Sequence, residues 1–71
     1  MDFDTRILAA RLKRLRTQLN MTQEQLAELV DIDRSHISAI ELGNVGVSFD
    51  VVFRLCEVLD ISPKELFDFR D

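Results

Sequence analysis

Side chains able to bind nucleotide bases follow one another closely in residues 34–42. If this segment is helical, the outward side carries a guanidinium at Arg34, a hydroxyl at Ser35 and a methyl group at Ala39. A guanidinium can donate to O6 and N7 of one guanine, a hydroxyl can donate or accept, and a methyl group can contact thymine. The small side chains would let the backbone enter a groove about 12 Å wide. The segment therefore predicts contact with base edges. The alternative is that Arg34 only faces solvent, although a cation is unfavourable in a first helical turn.

A second set of side chains is suited to phosphate binding. Thr22 and Gln23 begin the preceding predicted helix, where unpaired backbone N–H groups bind anions and the Gln23 amide adds a donor. The alternative is an ordinary helix cap beside a solvated glutamine. His36, Ser38 and Asn44 are further candidates for phosphate or groove contacts. A lone histidine such as His36 is also typical of a packing or surface position.

Repeated start signals predict the helices that hold these groups. An N-cap residue is followed four positions later by an apolar residue and preceded by another, which is the hydrophobic staple. The five N-caps are Asp4, Thr22, Asp33, Ser48 and Ser62. Thr22 with Gln25 and Ser62 with Glu65 also form capping boxes, and Asn20 and Gly43 can adopt the left-handed conformation that ends a helix. We predict an all-α fold of five helices at about 5–19, 23–30, 34–42, 49–59 and 63–69.

Apolar residues at helical spacing predict the core of this bundle. The predicted core consists of Leu8, Leu12, Leu15, Leu19, Leu26, Ala27, Val30, Ile37, Ile40, Phe49, Val52, Leu55, Cys56, Leu59, Leu66 and Phe67. Cys56 lies inside the stripe of the fourth helix, so we interpret it as a small buried residue and not as a reactive thiol.

The composition indicates one small domain, residues 1–71, and excludes several classes of function. With one cysteine and one histidine, an intrachain disulfide is impossible and we expect no metal site and no cofactor. We find no nucleophile–base pair and no glycine-rich phosphate loop, so we do not expect an enzyme. No apolar run approaches the roughly 20 residues of a membrane helix, and the acidic N-terminus is unlike a signal peptide. We expect a soluble cytoplasmic protein.

The charges are unevenly distributed. The net charge of −4 argues against indiscriminate nucleic-acid binding, but residues 5–20 contain basic side chains and no acidic one. Such a dipolar molecule can still orient toward phosphates. The alternative is that these basic side chains are only the solvated face of the first helix. They are Arg6, Arg11, Lys13, Arg14 and Arg16.

From about Leu12 to Phe67 the chain resembles the Cro/phage-repressor type helix-turn-helix family, the lambda-repressor-like (XRE) domains. The family's pattern is met by Arg16, Thr22, Gln23, Leu26, Ala27, Ile32, Asp33, Ser35, Ile37, Ser38, Glu41 and Gly43. The resemblance implies a helix-turn-helix motif at about 23–42, formed by the second and third helices. Within this family the chain resembles small restriction–modification controller proteins, antitoxin-type autorepressors and Cro-like phage regulators.

The resemblance also implies roles for single residues. Gln23 would contact a backbone phosphate, and Arg34, Ser35 and Ala39 would occupy the base-reading positions. Arg16 and Glu41 would form a structural pair between the first and third helices, without which Glu41 would be a costly uncompensated charge. The alternative for this pair is two unrelated surface charges. The chain departs from the family pattern at three places, which are Asn20, Leu42 and the non-basic loop 44–47.

The function implied is a DNA-binding transcriptional regulator that binds a two-fold symmetric operator as a homodimer through the third helix. The alternative is that the same fold serves as a protein-interaction or antitoxin module with weak or no DNA binding. Apolar positions beyond those needed by the core are candidates for the dimer interface. These positions are Val51, Phe53, Val58, Phe67 and Phe69. We expect double-stranded DNA as the partner, with no small-molecule cofactor and no membrane contact.

Overall fold

The computed structural model describes residues 5–66, which form five helices and no strand. The helices are α1 (Thr5–Gln18), α2 (Gln23–Val30), α3 (Arg34–Glu41), α4 (Phe49–Leu59) and α5 (Pro63–Leu66). The predicted all-α fold is confirmed. α1 and α3 each end one residue earlier than predicted, and residues 67–69 of the predicted fifth helix lie outside the described part.

The helix starts follow the predicted capping chemistry with one exception. The Thr22 hydroxyl accepts from the N–H of Gln25 at 3.0 Å, and the Gln25 side chain accepts from the N–H of Thr22 at 2.8 Å. Ser62 and Glu65 form the same reciprocal pair, and Ser48 accepts from the N–H of Val51 at 3.3 Å. Asp33 has the extended backbone of an N-cap, but its carboxylate makes no cap hydrogen bond. Asp4 lies outside the described residues.

Each helix start also places an apolar residue in the core. The residues four positions after the N-caps are Leu8, Leu26, Ile37, Val52 and Leu66, and each is at most 3% exposed. Helix α2 packs against α3 and α4, α1 against α3 and α5, and α4 against α5. One core cluster joins α1, α2, α3 and α4, and a smaller one joins Leu8 to Val52, Cys56 and Leu66.

Four core assignments differ from the prediction. Leu19 follows the end of α1 and is 48% exposed, and Phe49, the first residue of α4, is 80% exposed. Val51 is 7% exposed and belongs to the core, so its assignment as surplus to the core is wrong. Ala9 is buried and was not predicted. Helix α4 packs on both α2 and α5, so two adjacent stripes of its surface are covered.

Residues with left-handed backbone conformation follow the ends of α1, α2, α3 and α4. Asn20 and Gly43 have positive φ as predicted, and Asp31 and Asp60 do so without having been predicted. Glycine is favoured at position 43, because φ is +75° and a Cβ there would lie 3.3 Å from Cγ of Arg6 and 3.4 Å from its Cα. The end of α3 therefore lies close to the start of α1.

Candidate nucleic-acid interface

Helix α3 has a buried side and an exposed side. Ile37 and Ile40 are at most 1% exposed and anchor the helix in the core. The opposite side forms what we call the reading face, which we define as Arg34, Ser35, Ser38, Ala39 and Leu42. Arg34 and Ser35 are exposed, and Ser38 and Ala39 are half-buried. His36 is exposed at the margin of this face.

The reading face fits the predicted base contacts in its arrangement. Arg34 and Ser35 lie in the first turn of α3, the end that contacts base edges in helix-turn-helix proteins. Ala39 lies one turn further along the same side. Leu42 is 67% exposed and extends the face with an apolar side chain. The first two turns thus offer a cation, hydroxyl groups and a methyl group to a groove.

Three of the predicted phosphate-binding residues, Thr22, Gln23 and Asn44, lie near the opposite end of α3, whereas His36 and Ser38 lie within the helix. Thr22 is the exposed N-cap of α2, and Gln23 is its half-buried first residue. The Gln23 side chain contacts Glu41, the last residue of α3. Asn44 follows three residues later, exposed, and its N–H donates to the Ala39 carbonyl at 3.1 Å. The structure therefore brings the start of α2 to the end of α3.

An ion pair fixes α3 to α1. Nε of Arg16 donates to Oε2 of Glu41 at 2.7 Å, and Nη2 of Arg16 donates to Oε1 at 3.0 Å. The two side chains are 10% and 3% exposed. The hydrogen bonds to Glu41 raise the pKa of Arg16 above its ordinary value, because they outweigh the opposing effect of burial. Arg16 therefore stays charged at neutral pH, as arginine side chains ordinarily do.

Two contacts around this pair were not predicted from the sequence. Nη1 of Arg16 donates to the carbonyl of Met21 at 2.7 Å, which ties the turn before α2 to α1. Nε2 of Gln23 donates to Oε1 of Glu41 at 3.0 Å. A backbone carbonyl carries no sequence signal, and Gln23 lies 18 positions from its partner. Neither contact could be found from local patterns.

Arg54 of α4 holds the C-terminal end of α2. Nη1 of Arg54 in α4 donates to the carbonyl of Val30 at 3.0 Å, and Nη2 of the same side chain pairs with Asp50. Val30 is the last residue of α2, where carbonyl groups lack partners within the helix. Both ends of α2 are therefore tied to other helices.

Metal ligands, membrane-spanning helices and the cysteine are the remaining features to consider in residues 5–66. No group of three or more His, Cys, Asp or Glu side chains in this range could hold a metal ion, and no helix in it is long and apolar enough to cross a membrane. Cys56 is buried, and desolvation raises the pKa of its thiol, with a smaller contribution from Glu65. Its assignment to the core is confirmed.

Comparison with known proteins places this geometry in a family. The family model described as helix-turn-helix matches residues 12–66. The control protein C.BamHI of Bacillus amyloliquefaciens is 44% identical over 50 residues, which are 70% of this chain and 62% of that protein. The chain thus matches less than two thirds of the length of this relative.

Two solved structures share the fold over almost the whole chain. The restriction-modification controller protein C.AhdI from Aeromonas hydrophila superposes with a TM-score of 0.87 and 41% identity, covering 90% of this chain and 97% of that one. The controller protein C.Esp1396I, solved as a tetramer in complex with its natural 35 base-pair operator, gives a TM-score of 0.80 and 27% identity. That match covers 94% of this chain and 88% of the other. The similarity extends well beyond α2 and α3.

Proposed function

This chain belongs to the helix-turn-helix family, and from that membership we propose that it is a sequence-specific DNA-binding regulator of transcription. The observation that carries the proposal is the exposed reading face of α3, held at a fixed angle by the Arg16–Glu41 pair. A helix anchored on one side and lined with small polar side chains on the other fits the major groove. We expect it to act in the cytoplasm, on operator DNA.

Base reading is assigned to Arg34, Ser35 and Ala39, and phosphate or groove contact to Thr22, Gln23, His36, Ser38 and Asn44. Arg34 and Ser35 lie at the start of α3, whereas Thr22, Gln23 and Asn44 lie near its end, about 10 Å away by the rise of the helix. His36, Ser38 and Ala39 lie along the helix between these two ends. A duplex lying along α3 would meet base edges at its start and a phosphate strand near its end. Contacts to phosphates position a protein, and contacts to bases specify the sequence.

The protein is proposed to act as a homodimer. The longest dimension of a single copy of the protein is 30 Å. The half-sites of helix-turn-helix dimers lie about 34 Å apart. One copy would therefore cover one half-site. The controller C.Esp1396I is a tetramer on its operator, which supports self-association in this family.

The outer face of α4 is the proposed dimer interface. Phe49 and Phe53 are 80% and 56% exposed and lie one helical turn apart. Val51 is removed from the interface candidates because it is buried, and Val58 is half-buried against the core. Phe67 and Phe69 lie outside the described residues. Two large exposed aromatic side chains on one helix are a typical dimer contact surface.

A selection experiment tests the proposed function. Random duplexes are enriched on the purified protein at moderate salt and then sequenced. We expect a two-fold symmetric motif with a guanine in each half-site, because Arg34 can bind guanine in both copies of the dimer. A folded, dimeric protein that enriches no sequence would contradict the proposal and would favour a protein-interaction or antitoxin module.

Replacing Arg34 with alanine is expected to weaken binding about 5- to 150-fold for each half-site, which corresponds to ~1–3 kcal/mol for one bidentate guanine contact. Both copies of the dimer lose the contact, so the two factors multiply on the symmetric site. Specificity at the guanine of each half-site should disappear, while the other positions stay unchanged. Competition titrations against duplexes altered at single positions measure this effect. Lys64→Ala, at an exposed position of α5, is the control and should leave specificity unchanged. If Arg34→Ala weakened binding to all sequences equally, Arg34 would be a phosphate contact.

A further inference from the structure

One carboxylate joins side chains from three helices. Oε1 of Glu41 accepts from Nη2 of Arg16 and from Nε2 of Gln23, both at 3.0 Å, and Oε2 accepts from Nε of Arg16 at 2.7 Å. The Glu41 side chain is only 3% exposed, so its position is fixed. Gln23 is half-buried, and its amide therefore reaches from this fixed carboxylate toward the surface at the start of α2.

The carboxylate determines the orientation of the Gln23 amide. An ionised carboxylate can only accept hydrogen bonds, so the amide must turn Nε2, and not Oε1, toward Glu41. This leaves the second Nε2 hydrogen available at a defined position. A free glutamine side chain would lose rotamer freedom on binding a ligand, whereas the bond to Glu41 restrains the Gln23 side chain before any ligand binds. Preorganisation of this kind improves affinity because less order is imposed at binding.

The start of α2 has further hydrogen-bond donors beside the Gln23 side-chain amide. The N–H groups of Thr22 and Gln25 are both used within the box. The first-turn N–H groups of Gln23 and Glu24 have no acceptor within α2 itself, since the first N–H groups of any helix lack one. Donors at a helix start favour a phosphate, and the Gln23 amide lies beside them.

We infer that Glu41 is a positioning residue for DNA binding, which holds the Gln23 amide in the orientation that meets a backbone phosphate. The inference rests on the proposed function and deepens it. The Arg16–Glu41 pair then has two roles, because it fixes the angle of α3 and, through Gln23, prepares the phosphate contact of α2. A change in the geometry of the pair would therefore alter the DNA contacts of α2 as well as those of α3.

A methylphosphonate scan of the selected operator tests this inference. Each phosphate is replaced in turn by the uncharged methylphosphonate, and the affinity of the folded protein is measured. For the native protein we expect a loss of about tenfold at the phosphate that Gln23 contacts, once per half-site, as for a hydrogen bond to a charged group. Gln23→Ala should abolish the sensitivity at that phosphate, and Glu41→Gln should abolish or at least halve it, with the other phosphates unchanged.

The control is Glu28→Gln, which makes the same chemical change at an exposed position of α2 and should leave the whole profile unchanged. If Glu41 had only a structural role, Glu41→Gln would lower the melting temperature but leave the profile of the folded protein unaltered, and the inference would be wrong. If the native protein bound no duplex, the proposed function itself would fail. If native binding and base specificity held but Gln23→Ala changed no phosphate, only the inference would fail.

A measurement without substitutions covers the case in which Glu41→Gln does not fold. In the DNA-free native protein, the side-chain amide of Gln23 should be as ordered as the backbone by NMR relaxation. Gln18, which is exposed at the end of α1, provides the comparison and should be mobile. Equal mobility of the two amides would show that Glu41 does not hold Gln23 and would overturn the inference.

Discussion

Replacing Arg16 with methionine is expected to lower the free energy of unfolding by about 3–5 kcal/mol, the usual cost of removing one partner of a buried ion pair. Glu41, whose side chain is 3% exposed, would lose both guanidinium donors. The carbonyl of Met21 would lose its donor as well. A core of about 70 residues rarely supplies more than about 3–5 kcal/mol, so the variant should be largely unfolded at 37 °C.

Urea denaturation of the two proteins measures this effect through the shift of the midpoint at unchanged slope. Lys13→Met is the matched control, because Lys13 is exposed on the same helix, and it should change stability by less than ~0.5 kcal/mol. The double variant Arg16→Met, Glu41→Leu should recover part of the loss, because apolar side chains can replace a buried pair. A loss below ~1 kcal/mol in Arg16→Met would place the pair among ordinary surface ion pairs.

Replacing Phe49 and Phe53 together with aspartate is expected to give a folded monomer that binds the operator about 10²- to 10⁴-fold more weakly. Both rings are more than half exposed, so the core of the single copy does not depend on them. In the proposed dimer they would bury each other, and two carboxylates there would repel their symmetry mates. A monomer loses the effective concentration that links two half-sites, which accounts for the size of the loss.

Sedimentation equilibrium and DNA titration measure the two parts of this prediction, and circular dichroism checks that the helix content is retained. Leu29→Asp is the control, because Leu29 is 59% exposed and belongs to α2, not to the proposed interface on α4. It should leave both mass and affinity unchanged. A double variant that stays dimeric would show that the interface lies elsewhere on the molecule.

The helix starts could be predicted because their signals are local. An N-cap, the apolar residue before it and the one four positions later all lie within six residues, and no distant contact is needed to recognise them. The failure at Asp33 shows the limit of such signals, since residue type and backbone conformation fit a cap while the side chain makes no cap bond. A carboxylate on the surface can be solvated instead.

The errors in the core have a common origin, which is that periodicity identifies a stripe but not what covers it. Phe49 shares a stripe with Val52 and Cys56, yet it begins α4 and is 80% exposed. Val51 lies on the adjacent stripe and is buried because α4 packs against two neighbours. The exchange matters for the proposed dimer interface, since it leaves Phe49 and Phe53 as two exposed aromatic side chains on α4.

In the candidate site, too, local sequence predicts some features and tertiary packing determines others. The residues of the reading face could be assigned from one helical segment, given the resemblance to a family. Arg16 and Glu41 were also expected to pair on that resemblance, and they do so at 2.7 Å. The bond between Gln23 and Glu41 depends on the packing of α2 against α3, which no local pattern encodes.

The shared carboxylate at Glu41 also has a mechanical consequence. Glu41 joins α1, α2 and α3 at one point, and Arg54 holds the other end of α2, so the three helices should move as one rigid body. A rigid protein would not change its shape to fit an imperfect operator. The duplex would then have to bend to fit the protein, and the energy of bending DNA varies with its sequence. Operator bases that no side chain touches would contribute to selection through their flexibility.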